Sequence, residues 1–194
     1  MKFCSTCGSD QLETRIPAGD QLPRIVCASC ESIHYVNPKV VAGCLLTWQG
    51  QILLARRAIE PRYGYWTLPA GFMELNENTA QAAARECWEE ARATPAEMSL
   101  FGLVSIPRIS QVYVMYRGTL HKGEYGVGEE SLEVGLFEPE AIPWDDIAFP
   151  VVRHSLKRYL ENPQREDVYD VIIDRNTNWQ ALETGAAAIK QQAG

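Results

Sequence analysis

The sequence predicts a mixed α/β domain carrying a small metal-stapled module at its N-terminus. Three observations support that class. Strand-sized apolar segments lie on both sides of one strongly helical stretch, a second amphipathic helix pattern follows, and two tight cysteine pairs sit in a polar leader with little to fill a core. A length of 194 residues suits one full domain plus such a module better than two large domains.

Residues 1–38 are polar and turn-rich and form the module, and from Val40 the texture changes. Val40–Trp48 and Gln51–Arg57 read as strands joined at Gln49-Gly50, a hairpin signal. A loop bearing Pro61, Gly64, Pro69 and Gly71 follows. The clearest helix spans Thr79–Arg92: Asn78 can cap it, Gln81 completes a capping-box pattern, and Ala80, Ala82, Ala83 and Ala84 are strong helix formers. Pro95 prevents extension. Further strands are expected at Leu100–Ile106, Gln111–Leu120 and Leu132–Phe137. Val151–Leu160 reads as an amphipathic helix with Val152, Leu156, Tyr159 and Leu160 on one side, and Val168–Ile173 as a late strand. The expected division is 1–38 for the module, 39–162 for the main domain and 163–194 for a C-terminal extension, whose alanine-rich tail from Ala181 has helical composition but no assigned place.

Composition narrows the function classes. The net charge of −7 lacks the footprint of a nucleic-acid binder, although it suits carboxylates that hold cations. The longest apolar run, Val40–Leu46, is strand-sized and far too short to cross a bilayer. The start Met1-Lys2-Phe3-Cys4 leaves no room for the apolar region of a signal peptide, so a cytoplasmic location is expected.

Cys4-x-x-Cys7 and Cys27-x-x-Cys30 are separated by nineteen residues, whereas Cys44 and Cys87 stand alone in apolar segments and read as small packing residues. A disulfide scaffold would spread its cysteines over the fold, so clustered pairs at this interval indicate a zinc ribbon. Gly8 after Cys7 suits the positive φ of a knuckle turn. Four thiolates fill a tetrahedral zinc completely, which makes the ion structural. The module's Lys2, Arg15 and Arg24 are offset by Asp10, Glu13, Asp20 and Glu31, a poor phosphate clamp for nucleic acid.

Glu86, Glu89 and Glu90 sit at i, i+3 and i+4, within about a third of the helix circumference. Like charges at that spacing repel, and a hard divalent cation such as Mg²⁺ or Mn²⁺ removes the penalty. Such trios are commonly solvated faces; the flanking residues decide otherwise here. Arg85 can reach back to Glu77 and fix the loop against the helix, and Gly71 lets bare backbone approach a metal.

The segment Gly71 to Ala93, GFMELNENTAQAAARECWEEARA, resembles the Nudix box G-x5-E-x7-R-E-U-x-E-E-x-G-U, where U is a bulky aliphatic residue. Gly71, Glu77, Arg85, Glu86, Glu89 and Glu90 match in place. The lead-in Gly64-Tyr65-Trp66-Thr67-Leu68-Pro69-Ala70 and the strand order are also similar to that family. Arg92 stands where Gly is usual, Cys87 and Ala93 are small for U positions, and Ala70 replaces a common Gly. The resemblance implies an α/β/α sandwich with a mixed sheet and a metal-dependent pyrophosphohydrolase. It implies Mg²⁺ or Mn²⁺ held by Glu86, Glu89, Glu90 and the Gly71 carbonyl, with Glu77 as a structural residue of the box. Arg85, Glu89, Glu130 and Glu133 are the catalytic candidates; the last two, with Glu129, lie in the loop region where such a base falls in this family.

Among ribbon-bearing members, the NADH pyrophosphatase type carries a Ser-Gln-Pro-Trp-Pro-Phe-Pro stretch, where this chain reads Ser105-Ile106-Pro107-Arg108-Ile109-Ser110-Gln111. Plant plastid enzymes acting on FAD and ADP-ribose share Asn37-Pro38-Lys39, the Trp-Thr-Leu-Pro-Ala-Gly lead-in, Pro-Arg-Ile and Glu-Ser-Leu-Glu, so ADP-ribose or FAD is the favoured substrate. The alternatives are an NADH/NAD pyrophosphatase and a non-catalytic nucleotide-sensing regulator; a decapping-like enzyme would need a basic RNA path, which is not visible. Arg56, Arg57, Arg62 and Arg108 are candidates for pairing with phosphates, and Tyr65, Trp66 and Tyr113 for stacking on a ring. Members of the family often pair, so a homodimer is a candidate assembly, with the tail from residue 163 available for exchange.

Overall fold

The computed structural model describes residues 1–164 and 166–174. The alanine-rich tail lies outside them. The chain divides into two compact units, Met1–Pro38 and Lys39–Gly194.

In the first unit, β1 (Leu12–Arg15), β2 (Arg24–Cys27) and β3 (Ile33–His34) form an antiparallel sheet with β2 in the centre. Its two cysteine turns are near copies. The Gly8 amide donates to the Cys4 carbonyl and the Glu31 amide to the Cys27 carbonyl, both at 2.9 Å. Gly8 and Glu31 hold φ of 76° and 60°, the left-handed conformation that closes each knuckle. Glu31 adopts it without being glycine.

In the second unit, β4 (Lys39–Trp48), β5 (Gln51–Arg57), β8 (Pro95–Ile106), β9 (Gln111–Leu120), β10 (Ser131–Phe137) and β11 (Tyr169–Ile172) form a mixed sheet in the order β10-β5-β4-β9-β8-β11. Short strands β6 (Trp66–Thr67) and β7 (Ala70–Phe72) add to β5 and β4. The β4–β9 and β8–β11 pairs are parallel and the rest antiparallel. Gln49 and Gly50 both take positive φ, which matches the twist of the β4–β5 hairpin.

Helices cover the two faces, giving the expected α/β/α layering. Side chains alternate along the strands: Ala42, Cys44, Leu46 and Leu53 pack with α1 (Thr79–Ala91), whereas Leu45, Ile52 and Leu54 join the core that includes Val151, Val152 and Leu156 of α2 (Pro150–Glu161). Ala82, Ala83, Cys87 and Ala91 form the buried stripe of α1, so its backbone approaches the sheet closely. Cys44 and Cys87 are fully buried in that layer. Ala70 also finds its space from a small neighbour, because a Cβ on Gly43 of β4 would collide with the Ala70 side chain.

Two expectations need correction. Strand β8 starts at Pro95 rather than Leu100; its outer half is mostly exposed and interrupted by register shifts, so it carries no apolar alternation to read. Helix α1 ends at Ala91, with Arg92 as its cap. The Asn78 side chain accepts from the Gln81 amide while Gln81 accepts from the Asn78 amide, both at 2.9 Å, the reciprocal box at the start. At the end Arg92 makes the left-handed turn itself, with φ 46° and ψ 29°; its amide donates to the Trp88 carbonyl and that of Ala93 to the Cys87 carbonyl. A non-glycine residue there costs on the order of 1 kcal/mol. Arg92→Gly and Arg92→Ala lose the same contacts to Trp88 and Glu129, but only the alanine keeps the strain. Denaturant unfolding is expected to find Arg92→Gly the more stable of the two by about 1 kcal/mol.

Candidate active site

Helix α1 lies across β7, and its inner face carries Glu86 and Glu90, which are 8% and 5% exposed. Carboxylates this buried need partners. The Ala70 amide donates to Glu90 Oε2 at 3.2 Å, and Arg85 Nη1 donates to Glu86 Oε1 at 2.7 Å. Burial, followed by the charge of Glu86, pushes Glu90 up to about 8. Burial also raises Glu86, against the pull of Arg85. Two carboxylates deprived of water and repelling each other, one turn apart, form a donor set whose charge a divalent cation would balance. Gly71 faces Glu86 so closely that a Cβ would fall on its carboxylate.

Arg85 ties the assembly together. Its guanidinium donates to both oxygens of Glu77 (2.9 and 3.1 Å), to Glu86, to Glu89 Oε2 at 2.8 Å and to the Phe72 carbonyl at 3.1 Å. The Glu77 carboxyl is held below the usual carboxylate range by Arg85 and by the Glu74 amide. One cation thereby fastens the loop before α1, the strand β7 and the glutamate face. Glu89 is half exposed at the edge of that face.

A second loop closes over the cluster. The last carbonyls of α1 have no partner within the helix. Those of Glu90 and Ala91 accept from Gly128 and Gly126 at 3.1 and 2.8 Å, which clips residues 124–130 to the helix end. Glu129 and Glu130 follow at once and line the same cavity, about 880 Å³ in volume, as Glu86, Glu89 and Glu90. Arg57, Arg108 and Tyr113 line its other walls. Arg57 is buried, with its guanidinium 5.0 Å from the Phe149 ring and donating to the Pro61 carbonyl.

Residues 37–159 match the NUDIX domain family, and residues 2–36 match its N-terminal zinc-ribbon family, described as Nudix N-terminal. The chain belongs to the Nudix family. A Nudix hydrolase from Nitrosomonas europaea is 50% identical in sequence and superposes with a TM-score of 0.84 over 89% of this chain and 99% of that one. The ADP-ribose pyrophosphatase of Methanocaldococcus jannaschii is 29% identical over 113 residues, covering 56% of this chain and 67% of that protein. The NAD-capped RNA hydrolase NudC of Pseudomonas aeruginosa is 27% identical over 164 residues, or 82% of this chain, which spans about half of that protein's length (55%).

The Nudix box residues Gly71, Glu77, Arg85, Glu86, Glu89 and Glu90 thus converge on one cavity wall or its immediate support. Not every candidate joins them. Trp66 is a core residue of β6: it is 9% exposed, packs edge-on against Phe137 at 4.8 Å, and gives its carbonyl to the Ala148 amide. Arg56 and Glu133 lie opposite each other on the β5–β10 pair and meet at 3.6 Å outside the cavity. Tyr65 also lies outside, with Arg62 over its ring. Phe72 and Ile109, large, exposed and on the cavity wall, were not singled out by sequence, because apolar residues in a strand or turn read as core.

The first unit presents its own cluster. The sulfurs of Cys4, Cys7, Cys27 and Cys30 all lie within 4.8 Å of one another, with Cys4–Cys30 at 3.7 Å and Cys7–Cys27 at 3.6 Å. A tetrahedral zinc with thiolates at about 2.3 Å separates its sulfurs by roughly 3.8 Å, so the four thiols fit that ion.

Gly128 is the tight point of the clip, since a Cβ there would strike the Glu89 carbonyl and backbone carbon of Glu90. Backbone cannot step aside as a side chain can. Gly128→Ala is expected to cost about 1–3 kcal/mol in denaturant unfolding and to speed hydrogen exchange at the amides of residues 126 and 128.

Proposed function

We propose that this Nudix domain hydrolyses the diphosphate linkage of a nucleoside diphosphate derivative, with ADP-ribose or FAD favoured. The observation that carries the reading is the pair of buried, mutually repelling carboxylates on α1, facing a roomy cavity that also holds arginines. The similarity to an ADP-ribose pyrophosphatase supports the nucleotide class. A second reading, an NAD-type linkage, is supported by the match to NudC over 82% of this chain.

Glu86 and Glu90, with Glu89 beside them and the backbone of Gly71 opposite, would hold Mg²⁺ or Mn²⁺. Such ions neutralise phosphate charge and lower the pKa of water. Arg57 and Arg108 pair with the diphosphate oxygens from the facing walls, and Tyr113 borders the same space. Water adds to one phosphorus as the bridging P–O bond breaks, leaving two phosphomonoesters. Glu130 takes the proton from that water in this reading, which is supported by its lining the cavity and by its charge bearing on both Glu86 and Glu90. Glu89 is already engaged by Arg85, and Glu133 points to Arg56, so neither serves as well. Arg85 acts by positioning the glutamates.

With ADP-ribose and Mg²⁺, Glu90→Gln is expected to lower kcat by at least about a hundredfold and Glu130→Gln by about a hundredfold, with folding intact by circular dichroism. Glu133→Gln should stay near wild type; an equal loss there would remove Glu130 from its role. The ribbon zinc is proposed as structural. One zinc per chain is expected by elemental analysis, falling to a small fraction in Cys27→Ser, with loss of ordered amide signals confined to residues 1–38.

A further inference from the structure

The ribbon holds one polar atom that its own hydrogen bonds leave over. His34 of β3 lies opposite Ile25 of β2, and its ring Nε2 is shut off from water. Among the described residues it is the one buried side-chain nitrogen or oxygen without a hydrogen-bond partner. Native structures keep few such atoms, because an unmatched buried donor forfeits its bonds to water and gains nothing in return. The other ring nitrogen is engaged: Nδ1 lies 3.5 Å from the Ser5 hydroxyl. A hydroxyl that donates to Nδ1 leaves the ring proton on Nε2, where it needs an acceptor.

The acceptor at hand is a sulfur. Ser5 directly follows Cys4, and His34 acts on the Cys4 thiol itself. Burial raises that thiol, and the amides of Cys7 and Thr6 with the side chains of His34 and Cys30 more than reverse the rise. The surroundings of the sulfurs differ. Cys7 and Cys30 are exposed, so water reaches them, and the Ser32 hydroxyl lies 3.2 Å from the Cys30 sulfur. Cys4 is only 3% exposed and must take its donors from the protein. The Thr6 amide supplies one at 3.4 Å. Four thiolates on one Zn²⁺ carry two negative charges in excess, and N–H donors spread that charge. A thiolate relieved of charge is also a weaker nucleophile.

We propose that His34 is a positioning residue of the metal site, whose Nε2–H donates to the Cys4 thiolate when zinc is bound. The bond braces the first knuckle and blunts the Cys4 sulfur toward electrophiles. The imidazole stays outside the coordination shell, because the four cysteines already fill it. This inference rests on the zinc-site reading of those cysteines, and the two fail in different ways.

The first test is NMR on the full wild-type chain, its histidines isotope-labelled and its zinc replaced by an NMR-active cadmium isotope. His34 is expected to carry its proton on Nε2, slow to exchange and coupled to cadmium through the Cys4 sulfur. A proton on Nδ1, or a direct bond from the ring to cadmium, overturns the proposal. The second test is zinc release from the full chain under excess N-ethylmaleimide, followed with a metal-sensing dye. His34→Phe keeps a ring without a donor and is expected to release zinc about tenfold faster than wild type. His34→Gln keeps an N–H donor and should stay within about twofold of wild type. A role in packing alone predicts the reverse order, since phenylalanine preserves the ring and glutamine does not. Release from His34→Phe at the wild-type rate, or from His34→Gln as fast as from His34→Phe, overturns the proposal. A wild-type chain that binds neither metal removes the zinc-site reading itself, whereas a loaded chain with no proton on Nε2 removes only the role of His34.

Discussion

The whole domain is arranged around the cost of keeping Glu86 and Glu90 out of water. Two carboxylates on adjacent turns, both nearly buried, are tolerable only if cationic or N–H partners reach them. The chain meets that need through Arg85, the Ala70 amide and bare backbone at Gly71. Each partner demands structure behind it. Arg85 must be anchored by Glu77, β7 must pair with β4, and α1 must lie close enough for its inner face to touch β7. The alanine stripe of α1 meets the last demand, because longer side chains would lift the helix away from the strand.

Much of this is legible in the sequence alone. Asn78 and Gln81 mark the start of α1 because capping is local chemistry: the donors and acceptors are three residues apart. The glutamate spacing places its carboxylates on one face for the same reason. The cysteine pairs were also readable, since each knuckle closes through its own backbone and only the pairing of knuckles is long-range.

Less local features were not legible. Glu130 and Glu133 look alike in sequence, yet one lines the cavity while the other meets Arg56 across a strand pair. The difference depends on where β10 joins β5, and its register shifts between Ser131 and Glu133. Trp66 stays a candidate for stacking on a ligand ring until β6 is known to pair with β5 and its ring to pack on Phe137. The two arginines of β5 diverge by alternation: Arg57 enters the cavity while Arg56 points to the other side of the strand. The outer half of β8 lacks a buried face, so periodicity carries no signal there.

The clip between the 124–130 loop and α1 has an evolutionary consequence. It is made by the amides of Gly126 and Gly128 and by helix carbonyls, groups that every sequence with those glycines possesses. The exposed side chains between and before them, such as Tyr125 and Val127, contribute nothing to that fastening. They are free to drift while the acidic residues behind them hold station. The surface of this stretch can then change without loosening its hold on the end of α1.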